Sequence, residues 1–154
     1  MEYTFLTPKF YSDYPQSLYP QIERKDDRPY AHVTIEIYNQ LFCLPLRSNI
    51  DHPHAFFTNR RAKCGVDYSK AVVIDKEEYI DRSRKAFLRP DEYKKLQGKD
   101  HTIKRQFMEY IELYKKAKTD NSVAHRDKIL AFSTLQYFEN YIYPKDNEKT
   151  VADE

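Results

Sequence analysis

A chain of 154 residues is the length of one domain, expected here over residues 1–154, and can bury a sizeable core. Its formal charge of +2, from 26 basic and 24 acidic residues, excludes a nucleic-acid binder that works by bulk charge alone. Two cysteines without a CxxC pair exclude a disulfide framework and a cysteine zinc site, and no apolar run approaches membrane-spanning length. The first residues carry charges and tyrosines where a leader would be apolar, so a cytoplasmic protein with no membrane partner is expected. Charge is unevenly placed. Between Arg47 and Lys70 stand five basic residues (Arg47, Arg60, Arg61, Lys63, Lys70) against the acids Asp51 and Asp67, a locally anion-seeking stretch. The last eleven residues hold four acids and two lysines, a charged tail from about 145.

In chain order, "EYTFL" at 2–6 alternates weakly and predicts a short strand. Residues 7–29, rich in Pro, Tyr and Asp, predict an ordered loop with one short helix. Then Ala31, Val33, Ile35 and Ile37 alternate with Tyr30, His32, Thr34, Glu36 and Tyr38, a strand with one apolar face. Asn39-Gln40 predicts the tight turn of a hairpin, with 41–46 returning as its second strand. "AKCGVDYS" reads as a turn around Gly65, and "KAVVID" at 70–75 as a further strand. "RPDEYKKLQG" places Pro90 first, acids next, lysines later and Gly98 last, the order of a capped helix. Ile103, Phe107, Ile111 and Tyr114 form the stripe of an amphipathic helix; Ile129, Phe132, Leu135, Phe138 and Ile142 predict a second long one ending at Pro144. Strands first and helices later predict an α+β domain, helices packed on a small antiparallel sheet or barrel.

Chemistry-bearing groups concentrate in "CLPLRSNIDHPHAFF", residues 43–57. The run leaves an apolar strand and turns polar at Arg47, Ser48, Asn49, Asp51, His52 and His54. Asp51-His52-Pro53-His54 is also half of a metal site, but no second ligand cluster accompanies it, so no metal is expected. Arg60, Arg61 and Lys63 suit a solvated face as well as an RNA surface. Tyr11 and Tyr30 suit base stacking and packing equally.

The segments "RPYAHVTIEIYNQLFCLPLRSNI" and "GVDYSKAVVID", followed by helices, resemble the toxins of type III toxin–antitoxin systems. These are the ToxN/AbiQ-like endoribonucleases with their CptN and TenpN relatives. The resemblance is carried by Arg28-Pro29-Tyr30, by Pro45-Leu46-Arg47-Ser48, by Gly65 to Ile74 and by "FLTPKFYSDYP"; it spans roughly residues 3–118. It implies an SH3-like barrel, metal-independent RNA cleavage without a cofactor, and a role in phage defence by abortive infection. It further implies inhibition by a structured, pseudoknot-like antitoxin RNA that the toxin cuts from its repeat precursor, in a toxin–RNA hetero-oligomer, with target mRNA as the other partner. The ToxN-like branch follows the serine with Pro and Lys; here Asn49 and Ile50 follow, closer to the CptN/TenpN branch. The missing lysine's role passes to Arg47, to a histidine or to a lysine elsewhere.

Cleavage of this kind needs a base for the 2′-hydroxyl, a donor for the phosphate charge and an acid for the leaving 5′-oxygen, leaving a 2′,3′-cyclic phosphate. Arg47 supplies a planar cation, Ser48 and Asn49 hydrogen-bond donors, and His52 or His54 a group titrating near neutrality. His52 lies nearer Ser48 and is favoured on that ground. RNA brings its own nucleophile, so Ser48 is read as a phosphate ligand or transition-state donor. Tyr11, Arg28, Tyr30, Arg60, Arg61, Lys63 and Lys70 are the RNA-binding candidates. The other reading is a non-catalytic RNA-binding or adaptor module on the same scaffold.

Overall fold

A computed structural model describes residues 1–24 and 30–143. The alternating segment folds as the central hairpin, β2 (His32–Ile37) and β3 (Gln40–Arg47). Val33 pairs with Leu44 and Ile35 with Phe42, so both apolar faces point to one core. The turn sits at Tyr38-Asn39, one residue before the expected place. Both residues have positive φ, 55° and 59°, the pattern of a type I′ turn, which matches the twist of the flanking strands. β1 (Tyr3–Leu6) pairs with β2 on one side and β7 (Ile80–Asp81) on the other. Helix α1 (Pro8–Asp13) buries Phe10 and starts the Pro/Tyr-rich loop as expected.

Two strands stand where the sequence suggests turns. β4 (Ala55–Asn59) and β5 (Cys64–Asp67) form a second hairpin, and β5 pairs with the end of β3. Gly65 is strand, not turn. A Cβ there would lie 2.1 Å from the carbonyl oxygen of Phe56, so the glycine permits the close approach of β4 at the register shift between Phe57 and Asn59. β6 (Val72–Ile74) falls inside the expected strand and pairs with β3. The antiparallel sheet has seven strands. Its path runs β4-β5-β3-β2-β1-β7, with β6 on β3, and does not close among the described residues.

The helices gather in the second half. α2 (Pro90–Leu96) has the expected proline start, followed by Gly98 at φ 74°. α3 (Asp100–Thr119) buries Ile103, Phe107, Ile111 and Tyr114, each apolar side chain contributing about 1.5–3 kcal/mol. Phe107 meets Phe42 edge-on at 5.3 Å, which seats α3 under β3. The second long helix is broken into α4 (Arg126–Phe132), a 3₁₀ turn at Thr134–Tyr137 and α5 (Glu139–Ile142). Ser133 is the reason: its hydroxyl accepts from the Leu135 N–H and starts a new turn. The break leaves Phe132 55% exposed, while Ile129, Leu135, Phe138 and Ile142 are buried as expected. Among the described residues no helix is long and apolar enough to cross a membrane.

Candidate functional site

The meeting of β3, β4 and β5 brings the polar loop together. Arg47 pairs across the ladder with Gly65, Ala55 opposes Asp67, and the Tyr68 N–H donates to the His54 carbonyl at 3.0 Å. Asp67, at the end of β5, is fully buried beside Arg47. Its carboxylate accepts from Arg47 Nη1 at 2.5 Å, from the Ser69 N–H at 2.9 Å and from Ser69 Oγ at 2.7 Å. His52 Nε2 lies 3.2 Å from Asp67 Oδ1 and 3.1 Å from Ser69 Oγ. Burial pushes the Asp67 carboxyl up, but the hydrogen bonds from His52 and Ser69 and the charge of Arg47 outweigh it and hold Asp67 below the usual carboxylate value.

The two histidines divide their work. His52 Nδ1 accepts the His54 backbone N–H at 3.0 Å, so the ring proton sits on Nε2, directed at Ser69 and Asp67. Both nitrogens are engaged. His54 stacks on His52, ring centroids 5.6 Å apart and planes 26° apart, with Tyr110 5.3 Å away on a tilted ring. The proline between the histidines does not splay them. Among the described residues no side-chain hydrogen bond holds the half-buried His54 ring, and burial, with the neighbouring His52 imidazole, lowers its pKa below 6.5. It is mostly neutral at pH 7 and can take a proton. Of the two rings, His52 is held at both nitrogens, and His54 is held by stacking.

Arg47 is not an open phosphate fork. Nη1 holds Asp67 and Nη2 holds Glu23 Oε2 at 2.6 Å. Ser48 and Asn49 are exposed, and Asn49 turns the chain at φ 56° so that the Ile50 N–H reaches the Lys63 carbonyl at 3.0 Å. Ile50, His52, Phe57, Arg60 and Lys63 line an open groove of about 390 Å3. Arg60 lies over Phe57 at 5.1 Å, Arg61 is exposed, and Lys63 pairs with exposed Asp51 at 2.9 Å. Among the described residues no three His, Cys, Asp or Glu side chains are placed to hold a metal ion.

The remaining candidates lie on the far side of Arg47. Tyr11, Glu23, Tyr30, His32, Arg47 and Lys70 surround a cavity of about 20 Å3, room for about one water. Lys70 Nζ donates to Gln21 Oε1 at 2.9 Å and to the Phe132 carbonyl at 2.8 Å, and burial lowers its pKa. The Tyr11 ring lies edge-on to Phe10 and under Arg24, and burial pushes its hydroxyl up to about 12. The Tyr30 hydroxyl donates to Glu23. Arg28 lies outside the described residues. Sequence reasoning missed Glu23, His32, Asp67 and Ser69. The available signal was Asp67-Tyr68-Ser69 itself, an acid two residues before a serine at a strand end, the pattern of a hydrogen-bonded Asx turn.

Compared with family models, with curated proteins and with solved structures, the chain matches none of them.

Proposed function

We propose that this chain is an RNA-cleaving toxin of the ToxN/AbiQ kind, nearest the CptN/TenpN branch. The observation that carries the reading is His54, a ring of lowered pKa with no side-chain hydrogen bond among the described residues, stacked on a partner that buried Asp67 fixes in place. In this scheme His54 takes the 2′-hydroxyl proton, the 2′-oxygen attacks phosphorus, and the P–O5′ bond breaks as the 5′-oxygen takes a proton from solvent water. Ser48 and Asn49 donate to the phosphate oxygens, and Arg60, Arg61 and Lys63 draw the backbone into the groove. His52, Asp67 and Ser69 are positioning residues. On this reading the sheet is an SH3-like barrel left open between β4 and β7. The toxin acts in the cytoplasm, its substrates are target mRNA and its own repeat antitoxin precursor, and the processed pseudoknot RNA holds it inactive.

The test is cleavage of single-stranded RNA in EDTA by wild type, His54→Ala and Ser48→Ala, with the product ends mapped. The expected result is a cyclic phosphate end and a loss of about 10²–10⁴-fold in His54→Ala, with its melting temperature near wild type. RNA binding without cleavage by the wild type would favour the non-catalytic RNA-binding module instead. That module is compatible with the closed pairing of Arg47 and His52.

A further inference from the structure

Glu23 differs from the other acid on Arg47. Asp67 is 0% exposed and takes four donors, Arg47 Nη1, His52 Nε2, the Ser69 N–H and Ser69 Oγ; Glu23 is 39% exposed and takes two donors at a single oxygen. That oxygen, Oε2, receives Arg47 Nη2 at 2.6 Å and the Tyr30 hydroxyl at 3.2 Å. Beside it Arg47 Nε is buried with no hydrogen-bond partner among the described residues. Lys70, an ammonium with three donors, spends two of them on Gln21 and Phe132 and lines the same cavity. A buried guanidinium N–H without an acceptor is costly, and its company here is a second cation and a phenol hydroxyl. Such a set suits an anion with more oxygens than a carboxylate has.

We infer that Arg47, Tyr30 and Lys70 form a phosphate subsite, and that Glu23 Oε2 stands in it as a built-in, displaceable substitute for a phosphate oxygen. Asp67 keeps Arg47 in place when Glu23 leaves, so displacement frees one edge of the guanidinium without releasing the residue. Glu23 therefore sets a threshold: an incoming phosphate must outcompete a tethered carboxylate. The inference deepens the RNA-cleaving reading by adding control of that site, and it rests on that reading for its biological substrate. The ligand chemistry is a phosphate oxyanion, from a free or terminal phosphate or from the backbone of RNA.

The experiment measures binding by calorimetry of inorganic phosphate and, separately, of a 2′-O-methyl oligoribonucleotide that offers no 2′-hydroxyl to attack. Wild type, Glu23→Gln and Glu23→Ala are compared. Removing one negative charge at contact distance should tighten binding on the order of tenfold in both variants. Adding Lys70→Met to Glu23→Gln should cancel most of the gain. Tightening for both ligands assigns the subsite to the RNA backbone; tightening for phosphate alone assigns it to a free or terminal phosphate. No tightening in either folded variant overturns the inference. Cleavage is scored independently. A wild type that cuts RNA while both variants bind as it does sinks the Glu23 threshold alone. A wild type that cuts nothing while Glu23→Gln grips phosphate sinks the nuclease reading alone.

Discussion

The same residue types do different work at the two ends of the β4–β5 hairpin. At the Asp67 end, Arg47, His52 and Ser69 surround a carboxylate with no exposure, and every charge meets an opposite charge or a hydrogen bond inside the fold. At the turn end, Lys63 and Asp51 pair at 2.9 Å with side chains 58% and 78% exposed, and Arg60 and Arg61 face water. Geometry alone would rate the two ion pairs alike. Solvent separates them: the exposed pair is worth about 0–1 kcal/mol, whereas breaking a buried one leaves a charge with nowhere to go. The interior end thus fixes the architecture, and the rim is left free to change partners.

The largest effect expected from this contrast is on Asp67. Asp67→Ala leaves Arg47 only the half-exposed Glu23 and releases His52 and Ser69, and should cost about 3 kcal/mol in urea unfolding. Asp51→Ala, which removes the exposed partner of Lys63, should move the midpoint by less than about 1 kcal/mol. Equal losses in the two variants would end the distinction between the regions.

His32 sharpens the same contrast through pH. It is 4% exposed, its Nδ1–H donates to the Tyr30 carbonyl at 2.9 Å, and burial lowers its pKa to about 4. The unfolded chain binds this proton below about pH 6.5 and the folded chain only below about 4, so stability is present above 6.5 and is lost as pH falls through that window. The loss is on the order of 3 kcal/mol between pH 7 and 4. Burial lowers the His54 pKa as well, so the difference between wild type and His32→Asn isolates the contribution of His32. The asparagine amide keeps the donor to Tyr30 and should flatten the acid side of the stability curve. Asp67 acts lower, its contribution vanishing only as pH falls below the ordinary carboxylate value.

Local patterns announced what local forces build. The alternation from Ala31 to Ile37 exposed the central hairpin, the Pro90 and Gly98 signals bracketed α2, and the stripe at Ile103, Phe107, Ile111 and Tyr114 marked the buried face of α3. The β4–β5 hairpin was hidden because Ala55–Asn59 does not alternate and because Gly65 serves a backbone approach that only the partner strand reveals. The break at Ser133 was hidden by an apolar stripe that continues through it at helical spacing. The polar loop at 47–54 was legible as a concentration of chemistry. Its centre was not, since an acid's burial depends on Arg47, twenty residues away in sequence and adjacent only through the ladder. The different hydrogen bonding of His52 and His54 turns on a backbone N–H received by one ring, which residue identity does not encode.

The smallest expected effect on stability falls at the rim, and there the reading on RNA is most exposed. Arg60 and Arg61 belong to no buried network; Arg60 loses only its contact over Phe57 on truncation. The double variant Arg60→Ala/Arg61→Ala should unfold within about 1 kcal/mol of wild type. If each arginine neutralises one phosphate of single-stranded RNA, the slope of log binding constant against log salt should become shallower by about 0.7 per contact, on the order of 1.4 together. The rim variant should lose RNA binding while fully folded, most at low salt, where counterion release contributes most. An unchanged slope in a folded rim variant would remove Arg60 and Arg61 from the RNA path and leave the groove to Lys63, Ser48 and Asn49.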